Sequence, residues 1–168
     1  MGDVQNLSNT EAVKKIQEIA KDATICLFAT NLSNLPISAR PMATQKVDDD
    51  GNIWFLSSKS GHQNSDINQD SRVQLFYADK GSSEYLSVYG EASILYDKAL
   101  AKELWSPMAK TWFTEGVDDP DLSIIKVTPS DAYYWDTKNN KVVSLIKIFA
   151  GAVTGKTMDD GVKGKITM

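Results

Sequence analysis

Apolar and polar positions change period several times along the 168-residue chain. Val13, Ile16, Ile19 and Ala20 recur at helical spacing and predict a helix over Asn6–Lys21. Ser8 or Asn9 can cap it, and Glu11 stands three residues after Ser8, as in a capping box. Strand-like runs follow at Thr24–Thr30, Leu35–Val47, Ile53–Ser58, Val73–Ala78, Glu84–Leu95 and Leu122–Trp135. Pro36 and Pro41 make the second of these irregular, so it is expected at an edge or with a bulge. The Asp-Gly of Asp48–Asn52 marks a hairpin between the second and third runs. Gly90 in the fifth predicts a bulge or the close approach of a neighbour, and Pro129-Ser130-Asp131 is expected to break the sixth.

Helices fill the intervals. A short one is expected over Ser60–Asp70 with Ile67 facing inward, one capped by Asp97 running to about Trp105, and one opened by Pro107 and reaching Trp112. Lys138–Lys141 turns the chain into Val142-Val143, a short helix is expected near Ser144–Thr154, and the tail from about 155 is Gly- and Lys-rich. Six strands on short turns with helices around them predict a mainly β, α+β single domain over 1–168. The expected architecture is a six-stranded antiparallel barrel with peripheral helices.

Hydrophobic residues make up 42% of the chain, which argues for a packed core and against disorder. The net charge of −4 supplies no basic surplus for a nucleic-acid backbone. A single cysteine, Cys26, excludes an internal disulfide and fits a reducing compartment. Its apolar surroundings, Thr24–Ala29, predict a buried small hydrophobe. No basic region followed by an apolar core opens the chain, and no apolar run reaches membrane-spanning length. The expectation is a soluble cytoplasmic protein.

The residues also exclude several chemistries. His62 is the one histidine, so a zinc centre of His and Cys ligands is not expected. No Gly-x-Ser-x-Gly, phosphate-binding Gly-Lys loop or dinucleotide Gly-x-Gly-x-x-Gly is present. The carboxylates of Asp48–Asp50 and Asp118-Asp119 fall at turns and read as solvated charges. Two strands joined by the tight turn bring Arg40 beside the hydroxyls of Ser57 and Ser58, and the loop brings His62 and Gln63 to the same end. That donor set suits a phosphate; the alternative is a surface arginine beside an ordinary polar turn. Trp105, Trp112 and Phe113 lie close together, either as core or dimer packing or as contacts to a planar ligand.

At these positions the chain resembles the general-stress-protein branch of the pyridoxamine 5'-phosphate oxidase-like, flavin-binding split barrels. The resemblance runs through Arg40-Pro41-Met42, the hairpin, Trp54-Phe55-Leu56-Ser57-Ser58, Asp66-Ile67 and Arg72-Val73. It continues through Val88–Ala92, Leu104–Pro107, Trp112-Phe113-x-x-Gly116 and Tyr134-Trp135-Asp136, about residues 10–137 in order. It implies a homodimer with two FMN molecules at the subunit interface. It further implies that Arg40, with Pro41 and Met42, meets the FMN phosphate. Phe55, Leu56, Ser57 and Ser58 would run along the flavin, His62 and Gln63 would match two basic residues, and Trp112 would reach the flavin from the partner.

In the oxidase itself a lysine stands at Gln45, and an Arg-Lys pair at His62-Gln63. The loss of those charges implies weaker FMN binding here. No histidine follows His62 and no arginine follows Arg72, which disfavours pyridoxamine phosphate as substrate. The function implied is a flavin-dependent oxidoreductase of a small molecule. The alternatives are a non-enzymatic flavin sensor or store, and a cofactor-free dimeric interaction protein.

Overall fold

The computed structural model of the chain describes residues 4–6, 9–137 and 141–144, with side-chain environments for 10–137. The elements are β1 (Val4–Asn6), α1 (Asn9–Ala23), β2 (Ile25–Thr30), β3 (Ser38–Val47), β4 (Ile53–Ser58), α2 (His62–Gln69), β5 (Arg72–Asp79) and β6 (Glu84–Leu95). Then come α3 (Lys98–Leu104), two 3-10 turns at Pro107–Thr111 and Gly116–Asp118, β7 (Leu122–Asp136) and β8 (Lys141–Ser144). Strands pair in the order β7-β4-β3-β2-β5-β6, and β6 pairs again with β7. The result is a closed barrel of six antiparallel strands, as the periodicity predicts. β8 pairs antiparallel with the end of β7, and β1 lies parallel to β8.

Pleating explains the core. Residues two apart share a face, so Phe28, Phe55, Leu75, Val88 and Ile125 all turn into the barrel and are fully buried. Phe28 and Phe55 meet edge to face with ring centres 5.1 Å apart. The apolar stripe of α1, Ile16 and Ile19 with Ala12 and Ala20, packs into the same core. A second cluster lies outside the barrel wall: Leu56 and Ile124 receive Ala101 and Leu104 of α3 and Ala109 and Phe113 beyond it. The Asp97 carboxylate caps α3 by accepting from the Leu100 amide at 2.9 Å, as expected.

Several sequence expectations are sharpened. Asn6 lies in β1 rather than in the first helix, which begins at Asn9; Ser8 is outside the described residues. β3 is an inner strand, between β2 and β4, and its irregularity is a bulge at Gln45, between Thr44 and Lys46. β7 runs unbroken from Leu122 to Asp136. Its Pro129 is accommodated because Tyr89 pairs with Asp131 and Gly90 with Pro129, leaving Ser130 as the extra residue of a bulge. Ser144 ends β8, and the helix expected beyond it falls outside the described residues, as does the tail.

The barrel also splits. Ser38–Ala43 of β3 pairs with β2, but β3 meets β4 only from Thr44 to Val47. Beyond Phe55 the two strands diverge, with Arg40–Ala43 on one lip and Leu56–Ser58 on the other. A strand segment paired along one flank tolerates the ladder donor that Pro41 lacks.

Candidate functional site

The split opens into a cleft of about 370 Å³, within the size range of small-molecule sites. Arg40, Pro41, Met42, Ala43 and Gln45 line the β3 side, and Leu56, Ser57 and Ser58 the β4 side. Gln63 closes one end. The 3-10 turn after α3 supplies the remaining wall through Met108, Ala109, Trp112 and Phe113, held there by the packing of Ala109 and Phe113 against Leu56.

Nine of the eleven positions picked out by the resemblance therefore share one cleft: Arg40, Pro41, Met42, Gln45, Leu56, Ser57, Ser58, Gln63 and Trp112. Two do not. The Phe55 ring points into the barrel, since it alternates with Leu56 on the pleat. His62 is exposed and lies outside the lining; one helical residue turns the side chain about 100°, so Gln63 facing the cleft turns His62 away. Trp112 lines the cleft of its own chain, with 67% of its surface exposed, whereas the resemblance implies a contribution to the partner. Trp105 lies outside the lining and packs against Phe113, ring centres 6.5 Å apart. The two readings of the aromatic stretch thus divide between residues: Phe113 is buried packing that also walls the cleft, and Trp112 is at its mouth.

The polar end is built from the ends of β2, β3, β4 and α2. The Arg40 guanidinium donates to the Thr30 hydroxyl at 2.7 Å and the Ser38 hydroxyl at 2.8 Å, and lies 3.6 Å from the Asp66 carboxylate. Thr30, fully buried, donates in turn to Asp66 at 2.6 Å. Burial pulls the Arg40 guanidinium below its ordinary range, and Asp66 opposes that shift. The Ser57 hydroxyl donates to the Asn64 side-chain oxygen at 2.9 Å and accepts from the Gln63 amide at 2.7 Å. Asn64 is itself buried and donates to Ser123 at 2.8 Å, which fixes the start of α2 against β4 and β7. The Ser58 hydroxyl donates to the Asp121 carboxylate, which also accepts the Ser60 amide at 2.9 Å. These bonds hold the Asp121 carboxyl below the usual carboxylate range. The Gln45 side chain folds back to donate to the Ala43 carbonyl at 3.1 Å.

Spacing in the sequence does not single out Thr30, Asn64 or Asp121 for this end, nor Ile25, Met108 and Ala109 for the walls. Met108 and Ala109 sit inside the aromatic stretch that composition does flag. Among the described residues no group of three His, Cys, Asp or Glu side chains is arranged for a metal. No helix there is long and apolar enough to cross a membrane. Cys26 is buried on β2, and burial pushes its thiol up to about 12.

A pyridoxamine 5'-phosphate oxidase-like family model matches residues 11–159. The chain belongs to this family. Within it the chain is 30% identical to general stress protein 26 of Bacillus subtilis over 96 residues, 55% of this chain and 68% of the relative. It is 25% identical to protein bli-3 of Neurospora crassa over 127 residues, 70% of this chain. The matched region spans 61% of the bli-3 length. A solved relative of general stress protein 26 from Clostridium acetobutylicum superposes with a TM-score of 0.69 at 20% identity, over 84% of this chain and 99% of that one. The general stress FMN/FAD binding protein of Xanthomonas citri superposes with a TM-score of 0.64 at 24% identity, over 90% and 94% of the two chains. These likenesses establish the split-barrel fold of the general-stress-protein branch.

Proposed function

We propose that the cleft holds FMN and that the protein is a flavin-dependent oxidoreductase of a small molecule. The observation that carries this reading is the polarity of one cleft. Arg40, Ser57 and Gln63 gather at one end, while Met42, Leu56, Met108 and Trp112 form apolar walls suited to a planar ring. The donor set fits a phosphate-bearing flavin at its polar end, with one formal cation. Arg40 and the Ser57 and Gln63 side chains would hold the phosphate and ribityl end. Met42, Leu56, Met108 and Trp112 would hold the ring and keep water from it. Bound there, the flavin supplies hydride or single-electron chemistry. The shared fold of the Xanthomonas citri FMN/FAD binding protein supports the same reading.

Arg40 is the only ionisable side chain among the described residues that line the cleft. A proton needed by a substrate would then come from water, from the substrate or from a partner subunit. This observation favours a second reading, a flavin-binding sensor or store without turnover. Titrating the purified protein with FMN decides the first point: flavin absorption bands near roughly 370 and 450 nm should co-purify or saturate at micromolar protein. Absence of binding in excess FMN would sink both readings. Consumption of NADH or NADPH by the loaded protein separates enzyme from sensor.

A homodimer is part of this proposal. Ile25, Leu27, Phe76 and Tyr85 on the outer face of β2, β5 and β6 are 45–53% exposed, a concentration of apolar surface typical of contact faces. Leu27 pairs with Phe76 in register, and Ile25 also lines the cleft, so a second copy seated on this face reaches the flavin. Leu27→Asp is expected to convert a dimer into a monomer by sedimentation velocity, with weakened FMN binding. A dimer that survives the substitution would move the interface elsewhere. The one cysteine, buried Cys26, is compatible with a reducing cytoplasm.

A further inference from the structure

Arg40 meets the cleft from a frame of residues behind the lining. One terminal nitrogen of its guanidinium donates to the Thr30 hydroxyl at 2.7 Å and the Phe28 carbonyl at 3.4 Å, and the other donates to the Ser38 hydroxyl at 2.8 Å. None of these three acceptors belongs to a residue that lines the cleft. Thr30 is fully buried at the end of β2. A hydroxyl has one proton to donate. That of Thr30 goes to the Asp66 carboxylate at 2.6 Å, so what it offers Arg40 is a lone pair. The branched side chain has few rotamers, and burial holds the one it adopts. The hydroxyl is therefore a fixed spacer between an anion and a cation. Across it, Arg40 and Asp66 stay 3.6 Å apart, just beyond hydrogen-bond distance.

Asp66 is fixed from its own side. It lies on α2, three residues after Gln63 and two after Asn64. Asn64 accepts from Ser57 at 2.9 Å and donates to Ser123 at 2.8 Å, which pins the helix to β4 and β7. With the anion pinned and the cation on a long stem, loss of the spacer has a definite direction. The guanidinium closes on the carboxylate, where paired charge-assisted bonds are available. That movement turns the fork toward α2 and spends its charge there. Among the described residues no other cation lines the cleft to replace it. The apolar walls are untouched by the movement and hold a flavin ring as before.

We infer that Thr30 is a positioning residue, whose buried hydroxyl holds Arg40 apart from Asp66 and presents it to the phosphate of the ligand. The preference of this cleft for FMN over riboflavin then depends on a side chain that lies outside the lining. The inference rests on the flavin reading given above, with the phosphate at the Arg40 end.

The test is a pair of fluorescence-quenching titrations of the full chain, with riboflavin and with FMN, for wild type, Thr30→Val, Thr30→Ser and the double variant Thr30→Val with Asp66→Asn. Valine keeps the shape of threonine and removes the hydroxyl. The wild type is expected to bind FMN at least about tenfold tighter than riboflavin. In Thr30→Val the FMN dissociation constant is expected to rise about tenfold while that of riboflavin stays within about twofold. Thr30→Ser keeps the hydroxyl and should stay within about threefold of the wild type for both ligands. In the double variant the carboxylate no longer draws the fork away, and at least about threefold of the lost FMN affinity should return. Thermal unfolding measures the stability cost separately. A role in stability alone would lower the melting temperature of Thr30→Val and leave the FMN-to-riboflavin ratio unchanged. If Thr30→Val does not fold, Ser38→Ala loosens the other arm of the fork, and a severalfold loss for FMN alone is expected. Equal wild-type affinity for the two flavins overturns the inference and leaves the flavin reading standing. So does an unchanged ratio or tighter FMN binding in Thr30→Val, or in Ser38→Ala where that variant stands in, and so does a double variant that recovers nothing. Binding of neither flavin to the wild type overturns both.

Discussion

Replacing Arg40 with Ala is expected to weaken FMN binding by about a hundredfold or more, while riboflavin binding changes by less than about tenfold. The asymmetry follows from what the substitution leaves behind. Among the described residues Arg40 is the one cation in the cleft lining, and without it a phosphate approaches Asp66 with no counter-charge from that lining. The fold also loses the two bonds to Thr30 and Ser38. Thr30 is fully buried, so a stability loss of about 1–3 kcal/mol is expected alongside. Thermal unfolding measures that part, and the riboflavin titration shows that the apolar walls survive. Arg40→Lys should recover only a fraction of the FMN affinity. A lysine restores the charge but cannot make the forked contact to Thr30 and Ser38 while facing a ligand. Unchanged FMN affinity in Arg40→Ala would place the phosphate at another end of the cleft.

The strands and the lips of the cleft were legible because their signals are local. Alternation in Glu84–Leu95 and the Asp-Gly turn at Asp50-Gly51 report pleat and hairpin directly, and the hairpin puts Arg40 and the Ser57-Ser58 pair on the two lips of one cleft. The charge balance at that end was not legible, because it depends on contacts distant in sequence. Asp121 reaches Ser58 because Leu122 pairs with Ser58, and Ser123 with Ser57, on adjacent strands. Asp66 reaches Arg40 because α2 lies across the end of β2, where Thr30 bonds both. His62 and Gln63 are neighbours in sequence, but the turn of α2 sends them to different surroundings. Trp112 lines its own chain's cleft because the 3-10 turn before it packs back onto Leu56, a contact that spacing does not encode.

Gly90→Ala is expected to cost about 3 kcal/mol of stability, a fall of about 6–12 °C in melting temperature for a chain of this size. The glycine is needed for space. Gly90 is buried on β6, directly across from Pro129 at the bulge where Ser130 is the extra residue. A Cβ added there would run into the Thr128 carbonyl oxygen and stand 2.9 Å from the Pro129 Cα. These are backbone atoms of β7, which is paired with β4 on one flank and β6 on the other. They cannot swing aside as a side-chain end can, so the methyl must open the β6–β7 seam that closes the barrel. Gly81→Ala is the internal control. Its nearest neighbour would be the end of the Asp79 side chain at 3.3 Å, on an exposed turn, so the change there should stay within about 0.5 kcal/mol. Because the seam lies away from the cleft lining, folded Gly90→Ala at low temperature should still bind FMN as the wild type does. Equal melting temperatures for the two alanine variants would show that β6 and β7 do not approach this closely, and that the barrel closes elsewhere.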